Sequence, residues 1–262
     1  MSFNGTTIWI TGATSGIGEA LAYAFAETGA RLILSARREE RLHAVKAACA
    51  HTERHRVVPL DLSETDTLAT IAEKVVQEET IDILFNNGGI SQRGRVAETD
   101  LRVDRQIMEV NFFGTVALTK AVLPSMLARG SGHIVVISSV AGKLGAPQRS
   151  AYSASKHALQ GFFDVLRAEV HDAGLRVTIV CPGYIRTDIS KNALTADGSR
   201  HGTMDQNQAE GMSPETCARR ILRAIEKEKE EVYIGGKEVV AIYLKRFVPN
   251  LLNRILRKRS GA

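Results

Sequence analysis

The stretch IVVISSVAGKLGAPQRSAYSASKHALQGFF, from Ile134 to Phe163, decides how the chain is read. Ile134, Val135, Val136 and Ile137 make a short apolar strand that delivers Ser139 to its C-terminal end, and a long amphipathic helix then carries Tyr152-Ser-Ala-Ser-Lys156. Residues four apart on a helix share a face. Lys156 therefore sits beside Tyr152 with its cation near the phenol, and the strand end brings the Ser139 hydroxyl to the same place. A nearby positive charge stabilises phenolate, and such a tyrosine can exchange a proton with an alcohol or carbonyl oxygen. The pair alone equally describes an exposed i,i+4 contact on a surface helix, so the rest of the chain has to choose.

Upstream, the apolar strand Thr6 to Thr11 leads into Gly12-Ala-Thr-Ser15-Gly16-Ile17-Gly18 and a helix running to about Thr28. Three glycines between a strand and a helix allow a tight turn and close ligand approach, and the amides at that helix start form a pyrophosphate site. The other reading is a glycine-rich turn with no ligand. A second strand, Arg31 to Ser35, ends in Ala36-Arg37-Arg38 with no acid at the strand end. An acid there suits the adenosine ribose hydroxyl of NAD, whereas Arg37 and Arg38 suit the 2′-phosphate of NADP, unless they simply open a solvated helix. After a charged helix (Arg38 to about Ala50) comes the strand Arg56 to Leu60, closed by Asp61-Leu62. Ser63 and Asp66 resemble a capping box, and Asp61 either braces the chain or accepts from the adenine amine. The strand Ile81 to Phe85 enters Asn86-Asn87-Gly88-Gly89, a tight turn or a ribose contact outside the carboxyl ends of the strands. Asp104 to Arg129 reads as one long helix. Within it Asn111 either faces water or bends the helix and holds a catalytic water beneath Lys156.

Downstream, the strand Leu175 to Val180 ends in Cys181-Pro182-Gly183-Tyr184-Ile185-Arg186-Thr187, where proline stops the ladder and glycine lets the chain fold over a ligand. Thr187 then either contacts a nicotinamide carboxamide or caps a helix. Asp188 to Met212 is polar and poorly periodic, the character of a lid that selects substrate. A helix from Pro214 to about Glu228 and a strand Val232 to Ile234 complete residues 1–235, and residues 236–262 differ in kind. Around Pro249 this tail reads as two short helices, the second placing Leu251, Leu252, Ile255 and Leu256 opposite Arg254, Arg257 and Lys258. Such a helix either lies on an anionic membrane surface or packs its apolar side on this protein or a second subunit.

The length of 262 residues and 44% hydrophobic content fit one large α/β domain. Formal charge is +5, and residues 237–262 hold seven basic residues against one acid, so the body is close to neutral and nucleic-acid binding across the fold is unsupported. Cys49, Cys181 and Cys217 are odd in number and lack metal-ligand spacing, which points away from a metal site and toward a reducing, cytoplasmic compartment. We expect no signal peptide and no apolar run long enough to cross a bilayer.

Alternating strands and helices imply a doubly wound parallel sheet, Rossmann-like, with helices on both faces. On that sheet Thr11-Gly12-x-x-x-Gly16-Ile17-Gly18, Asn86-Asn87-Gly88-Gly89, Asn111, Ser139, Tyr152-x-x-x-Lys156 and Pro182-Gly183 stand in the order and spacing of the short-chain dehydrogenase/reductase family, which the chain resembles over about Thr6 to Ile234. Gly88 departs from the alanine common in that family. The resemblance implies Tyr152 as proton donor or acceptor, Ser139 polarising the substrate oxygen, Lys156 assisting Tyr152 and holding the nicotinamide ribose, and Asn111 holding a relay water. It also implies NADP(H) contacts from Gly12, Ser15, Gly16, Ile17, Gly18, Arg37, Arg38, Asp61, Leu62, Asn87, Gly88, Pro182, Gly183, Ile185 and Thr187. The lid and basic tail are similar to the branch related to microsomal steroid and lipid reductases, which implies a hydrophobic carbonyl substrate. Family habit further implies a homodimer or homotetramer. Two other readings stand beside this one: a nucleotide-sugar epimerase reusing the same Tyr and Lys, and a non-catalytic NADP-binding sensor at a membrane.

Overall fold

The apolar runs become strands of one parallel sheet in the computed structural model, which describes residues 3–260, with side chains through Arg257. Along the chain come β1 (Thr7–Thr11), α1 (Gly16–Glu27), β2 (Arg31–Ser35), α2 (Glu39–Ala48), β3 (Arg56–Val57), α3 (Thr65–Glu78), β4 (Ile83–Asn86) and β5 (Gln92–Arg93). Next are α4 (Leu101–Met108), a π-helical turn (Glu109–Phe113), α5 (Gly114–Arg129), β6 (Gly132–Ile137), α6 (Ser150–Val170), β7 (Leu175–Pro182) and β8 (Leu194–Thr195). The remaining elements are α7 (Gln206–Ala209), α8 (Pro214–Glu226), β9 (Glu231–Ile234), α9 (Val240–Phe247) and α10 (Pro249–Ser260). The seven-stranded sheet has the order β3-β2-β1-β4-β6-β7-β9, and all its pairings are parallel. It is a single Rossmann-like domain.

A sheet covered on both faces buries successive strand residues in opposite layers. Ile8 and Ile10 join Phe25 of α1 and Ile221 of α8, while Trp9 between them joins Leu68, Val122 and Phe163 from α3, α5 and α6. Trp9 Nε1 donates to Ser35 Oγ (2.8 Å), which donates to Val58 O (2.6 Å), so one buried polar chain ties β1, β2 and the end of β3. The strand order reverses between β1 and β4. The switch opens a crevice at the carboxyl ends of the strands, where such folds place ligands.

Local chemistry shifts several expected boundaries. The expected strand Arg56 to Leu60 is regular only through Val57, although Val58 N and Leu60 N continue to bond Leu34 O on β2 and Ala36 O just past its end. No capping box forms at Ser63: α3 starts at Thr65, and Ser63 turns its N–H and hydroxyl to Asp61 Oδ1 instead (2.9 and 2.8 Å). The long helix containing Asn111 is interrupted by the π-helical turn, because Asn111 is fully buried and bonds across to Ile90. Pro182 does not end its ladder: it pairs with Ile234 on β9, and the bond there comes from the following Gly183 N–H to Ile234 O (2.8 Å), so the N–H that proline lacks is not needed. Residues 188–212 are not wholly irregular either, since β8 pairs with β5 and fastens this segment to the chain after β4.

The run Leu101–Arg129 is, against expectation, long and apolar enough to cross a membrane by length and composition alone. In the fold it is a covering helix that buries Leu118, Val122 and Met126 against the sheet. The tail forms the two expected helices and splits its apolar face. Ile242 and Leu252 pack on Val140 and Leu144, beside the end of β6, whereas Tyr243, Phe247, Leu251 and Ile255 stay exposed. The expected basic position Lys258 lies beyond the described side chains.

Candidate active site

The crevice is built first by strand ends lashed together. Thr11 Oγ1, at the end of β1, accepts from Asn87 N and Gly88 N (3.0 Å each) and donates to Phe85 O (3.2 Å), while Asn87 Nδ2 donates to Thr11 O (2.9 Å). This packing leaves no room for a side chain at Gly12, where φ is +65° and a Cβ would lie 2.8 Å from Gly88 Cα. The chain therefore turns straight into α1, whose first amides lack partners within the helix. Ser15, Gly16 and Ile17 line the crevice at that point. Gly18 does not: its Cα presses on Gly12 O, where an added Cβ would sit at 2.3 Å, so it serves helix packing.

From here a continuous cleft of about 510 Å³ runs along the sheet edge. Arg37 and Arg38 stand at one end with Asp61 and Leu62; Asn87 and Gly88 lie midway; Pro182, Gly183, Ile185 and Thr187 form the facing wall. Arg37 and Arg38 are both exposed at the mouth, and Arg38 Nη2 donates to Thr14 Oγ1 (3.1 Å), which ties its guanidinium to the glycine turn. Asp61 braces the chain through Ser63 and also lines the cleft. A cleft with first-turn amides, basic residues at one end and glycine walls fits a dinucleotide by size and donor chemistry.

At the other end the sheet delivers Ser139, Tyr152 and Lys156 to the same cleft. Ser139 caps the turn after β6: its Oγ accepts from Ala141 N (3.1 Å) and donates at long range to Pro182 O (3.4 Å). Lys156 is buried, and its Nζ donates to Ile137 O (2.8 Å) and lies 5.9 Å from the centroid of the Tyr152 ring. Loss of water around the ammonium pulls its pKa from 10.5 down to about 8, so at neutral pH the cation is kept at a desolvation cost. Ser138 Oγ donates to Lys156 O (3.1 Å) and accepts from Gln160 Nε2 (2.9 Å), which fixes α6 against β6.

Asn111 stands one layer behind the cleft. Its Oδ1 accepts from Ile90 N (2.8 Å), and its Nδ2 donates to Ile90 O (2.9 Å) and Ser155 Oγ (3.0 Å). Ser155 in turn donates to Tyr152 O (2.9 Å), so the π-helical turn is coupled to the helix turn that carries the phenol. Gly89 stands between Asn111 and Lys156, where a Cβ would press on Asn111 Oδ1 at 3.0 Å and touch Lys156 Nζ at 3.5 Å. Sequence reasoning missed Ser155, Gln160 and a cluster of Arg93, Arg149 and Asp205 on the far wall. Ser155 had a local signal, one residue before Lys156. The cluster had none, for its members are 56 and 112 residues apart in the chain.

Known proteins share this fold and sequence pattern. The family pattern described as short chain dehydrogenase matches residues 6–198. A "Dehydrogenase/reductase SDR family protein 7-like" of Drosophila melanogaster is 48% identical over 98% of this chain and 81% of its own length. Among solved structures, a short-chain dehydrogenase from Streptomyces avermitilis superposes with TM-score 0.83 at 33% identity, covering 98% of both chains. One from Burkholderia cenocepacia, described in complex with NADP, superposes with TM-score 0.80 at 27% identity, covering 98% of this chain and 99% of its own. With the pattern spanning most of the sheet and a relative 48% identical over 98% of this chain, the chain belongs to the short-chain dehydrogenase/reductase family of oxidoreductases.

Proposed function

We propose that the protein is an NADP(H)-dependent enzyme interconverting a carbonyl compound with a primary or secondary alcohol, on a hydrophobic substrate, with Tyr152 as general acid and base. The observation that carries this reading is the buried Lys156 cation held beside the Tyr152 ring in the same cleft as the glycine turn. A bound nicotinamide would supply or accept the hydride. In the reducing direction Tyr152 gives its phenolic proton to the substrate oxygen, and Lys156 stabilises the phenolate left behind. The Ser139 hydroxyl, with only a long bond to Pro182 O to give up, turns to share the charge growing on that oxygen. Asn111 keeps Ile90 and the Tyr152 turn in register, the role that supports it as the residue behind a relay water beneath Lys156. Arg37 and Arg38, with no acid at the β2 end, support a 2′-phosphate and hence NADP(H). Ile90, Val110, Ile189 and Leu194 on the substrate side support an apolar substrate body.

NADPH oxidation over a panel of ketones and aldehydes tests this. Tyr152→Phe should lower kcat by roughly 10²–10⁴-fold with NADPH affinity unchanged; turnover equal to wild type would remove Tyr152 as the acid. Arg37→Ala should cut kcat/KM for NADPH about tenfold while sparing NADH, and equal losses for both would remove the phosphate reading.

A second proposal concerns surroundings: a cytoplasmic homodimer or homotetramer that touches an anionic membrane through residues 236–262. Exposed Tyr243, Phe247, Leu251 and Ile255 interleaved with Lys245, Arg246 and Arg254 support the membrane contact. Exposed Phe113 and Val165, on neighbouring helical faces, support self-association. Flotation with phosphatidylserine vesicles should be lost in Phe247→Asp/Leu251→Asp, and equal flotation of both forms would exclude the tail. Sedimentation velocity would report the assembly, with a monomer at micromolar concentration excluding it.

A further inference from the structure

Arg93, Arg149 and Asp205 form a charge cluster on the substrate side of the cleft that the chemistry above leaves unused. Arg93, on β5, is spent within the protein: Nε (2.9 Å) and Nη2 donate to Asp205 Oδ2, and Nη1 donates to Ser91 Oγ (3.0 Å) and Gln92 O. Arg149 is different. Its Nη2 donates to the same Asp205 Oδ2 (2.9 Å), but among the described residues its Nε and Nη1 have no hydrogen-bond acceptor. The Arg149 side chain is 19% exposed, lines the cleft together with Tyr152, and precedes it by three residues, about one helical turn.

Charge does not balance here. Two guanidinium groups face one carboxylate, and the nearby charged groups do not supply the difference. His201 approaches Asp205 at 3.7 Å and adds positive charge when protonated; Arg200 lines the same cleft; Asp188 also lines it but pairs with Lys191 at 3.2 Å. Burial and the Arg93 charge together lower the Arg149 pKa, as befits a cation short of partners. Fastening the segment that carries Asp205 to the body would take one arginine. A second one, largely covered along its side chain yet with its fork open to the cleft, is placed to meet something negative arriving there.

We propose that Arg149 is the anion-binding residue of the substrate site, so that the carbonyl substrate carries a carboxylate or phosphate monoester beside its apolar body. This rests on the oxidoreductase reading for the word substrate, but not for the site. Guanidinium forks match both anions in geometry and bind them by charge-assisted hydrogen bonds. Asp205 is then an internal counter-ion that competes with the incoming anion for Arg149.

Calorimetric titration of the NADP⁺-saturated protein tests the site without turnover. The probes are 4-oxopentanoate against 2-pentanone for the carboxylate, and hydroxyacetone phosphate against hydroxyacetone for the phosphate. In at least one pair the anion should bind about tenfold tighter or more than its neutral partner, and the pair that responds identifies the group. Arg149→Met should bring that pair to parity with neutral-probe and NADP⁺ affinities kept within about twofold of wild type. Asp205→Asn, which removes the competing carboxylate, should tighten the anion further. Equal binding within both pairs by wild type would overturn the proposal. So would equal weakening of neutral and anionic probes in Arg149→Met, the signature of a purely structural latch, and this arm stands if Asp205→Asn does not fold. A protein that selects the anions yet reduces no carbonyl compound keeps this site and loses the oxidoreductase reading.

Discussion

Replacing Lys156 with methionine should make the cofactor-free protein more stable at neutral pH while abolishing turnover. Lys156 is buried, and its pKa falls from 10.5 to about 8, which puts about 3 kcal/mol between its charged and neutral forms. The sign follows from proton counts. Below pH 8 both folded and unfolded chains carry the charge, and the folded state bears the whole desolvation cost. Between pH 8 and 10.5 the unfolded chain binds more protons, so wild-type stability rises with pH until the cost is gone. Methionine of similar length removes the charge but also the bond to Ile137 O, whose loss costs about 1–1.5 kcal/mol. A net gain of about 2 kcal/mol at pH 7 remains. Urea unfolding of both forms at pH 7, 9 and 10.5 measures it: the advantage of the variant should shrink steadily and reverse at the highest pH. A variant less stable than wild type at pH 7, or a pH-independent difference, would refute the idea that this lysine is held at the expense of stability.

Other perturbations test other parts of the same argument. Asn111→Ala strips Ile90 N–H and C=O of part-buried bonds and Ser155 of a buried one, so unfolding free energy should drop by about 2–4 kcal/mol, with amide exchange rising first across residues 109–113; a loss under about 1 kcal/mol would mean water replaces the side chain freely. Gly12→Ala, at φ +65° and 2.8 Å from Gly88 Cα, should lower stability by about 2 kcal/mol or more and weaken NADPH binding, read by nucleotide fluorescence; full binding would show that the turn relaxes cheaply. His133 is buried against Thr178 Oγ1 (2.8 Å), and burial lowers its pKa from 6.5 to about 4, so the folded state stays neutral where the unfolded chain protonates. Its contribution is complete above about pH 6.5 and is lost as pH falls toward 4, by up to ~3 kcal/mol, and His133→Gln should flatten that part of the urea-midpoint profile.

What could be read from the sequence was whatever the backbone itself dictates within one turn. Gly12, Gly16 and Gly18 announce a tight strand-to-helix turn because each position excludes a Cβ, and Tyr152 and Lys156 share a face because helical geometry leaves no other arrangement. Where two local solutions compete, sequence is a weaker guide. Ser63 offered itself as a cap for α3 and was taken by Asp61 two residues earlier, and Asn111 could be placed in a helix but not in a π-helical turn, whose cause, Ile90, lies 21 residues away. The tail shows the same limit at the scale of a face: its amphipathic period is plain, yet only the packed positions of Val140 and Leu144 determine that Leu252 is buried and Leu251 is not. The Arg93–Asp205–Arg149 cluster lies past that limit, since it needs three elements to converge before any of its charges means anything. The oxidoreductase family is therefore written in short-range spacing that one strand and one helix can express, whereas the charged wall of the cleft is assembled from distant segments. It follows that two chains sharing every glycine and the Tyr-Lys pair can differ wholly in what they reduce, and that exchanging residues such as Arg149 and Asp205, rather than the motif residues, is what should move this fold from one substrate class to another.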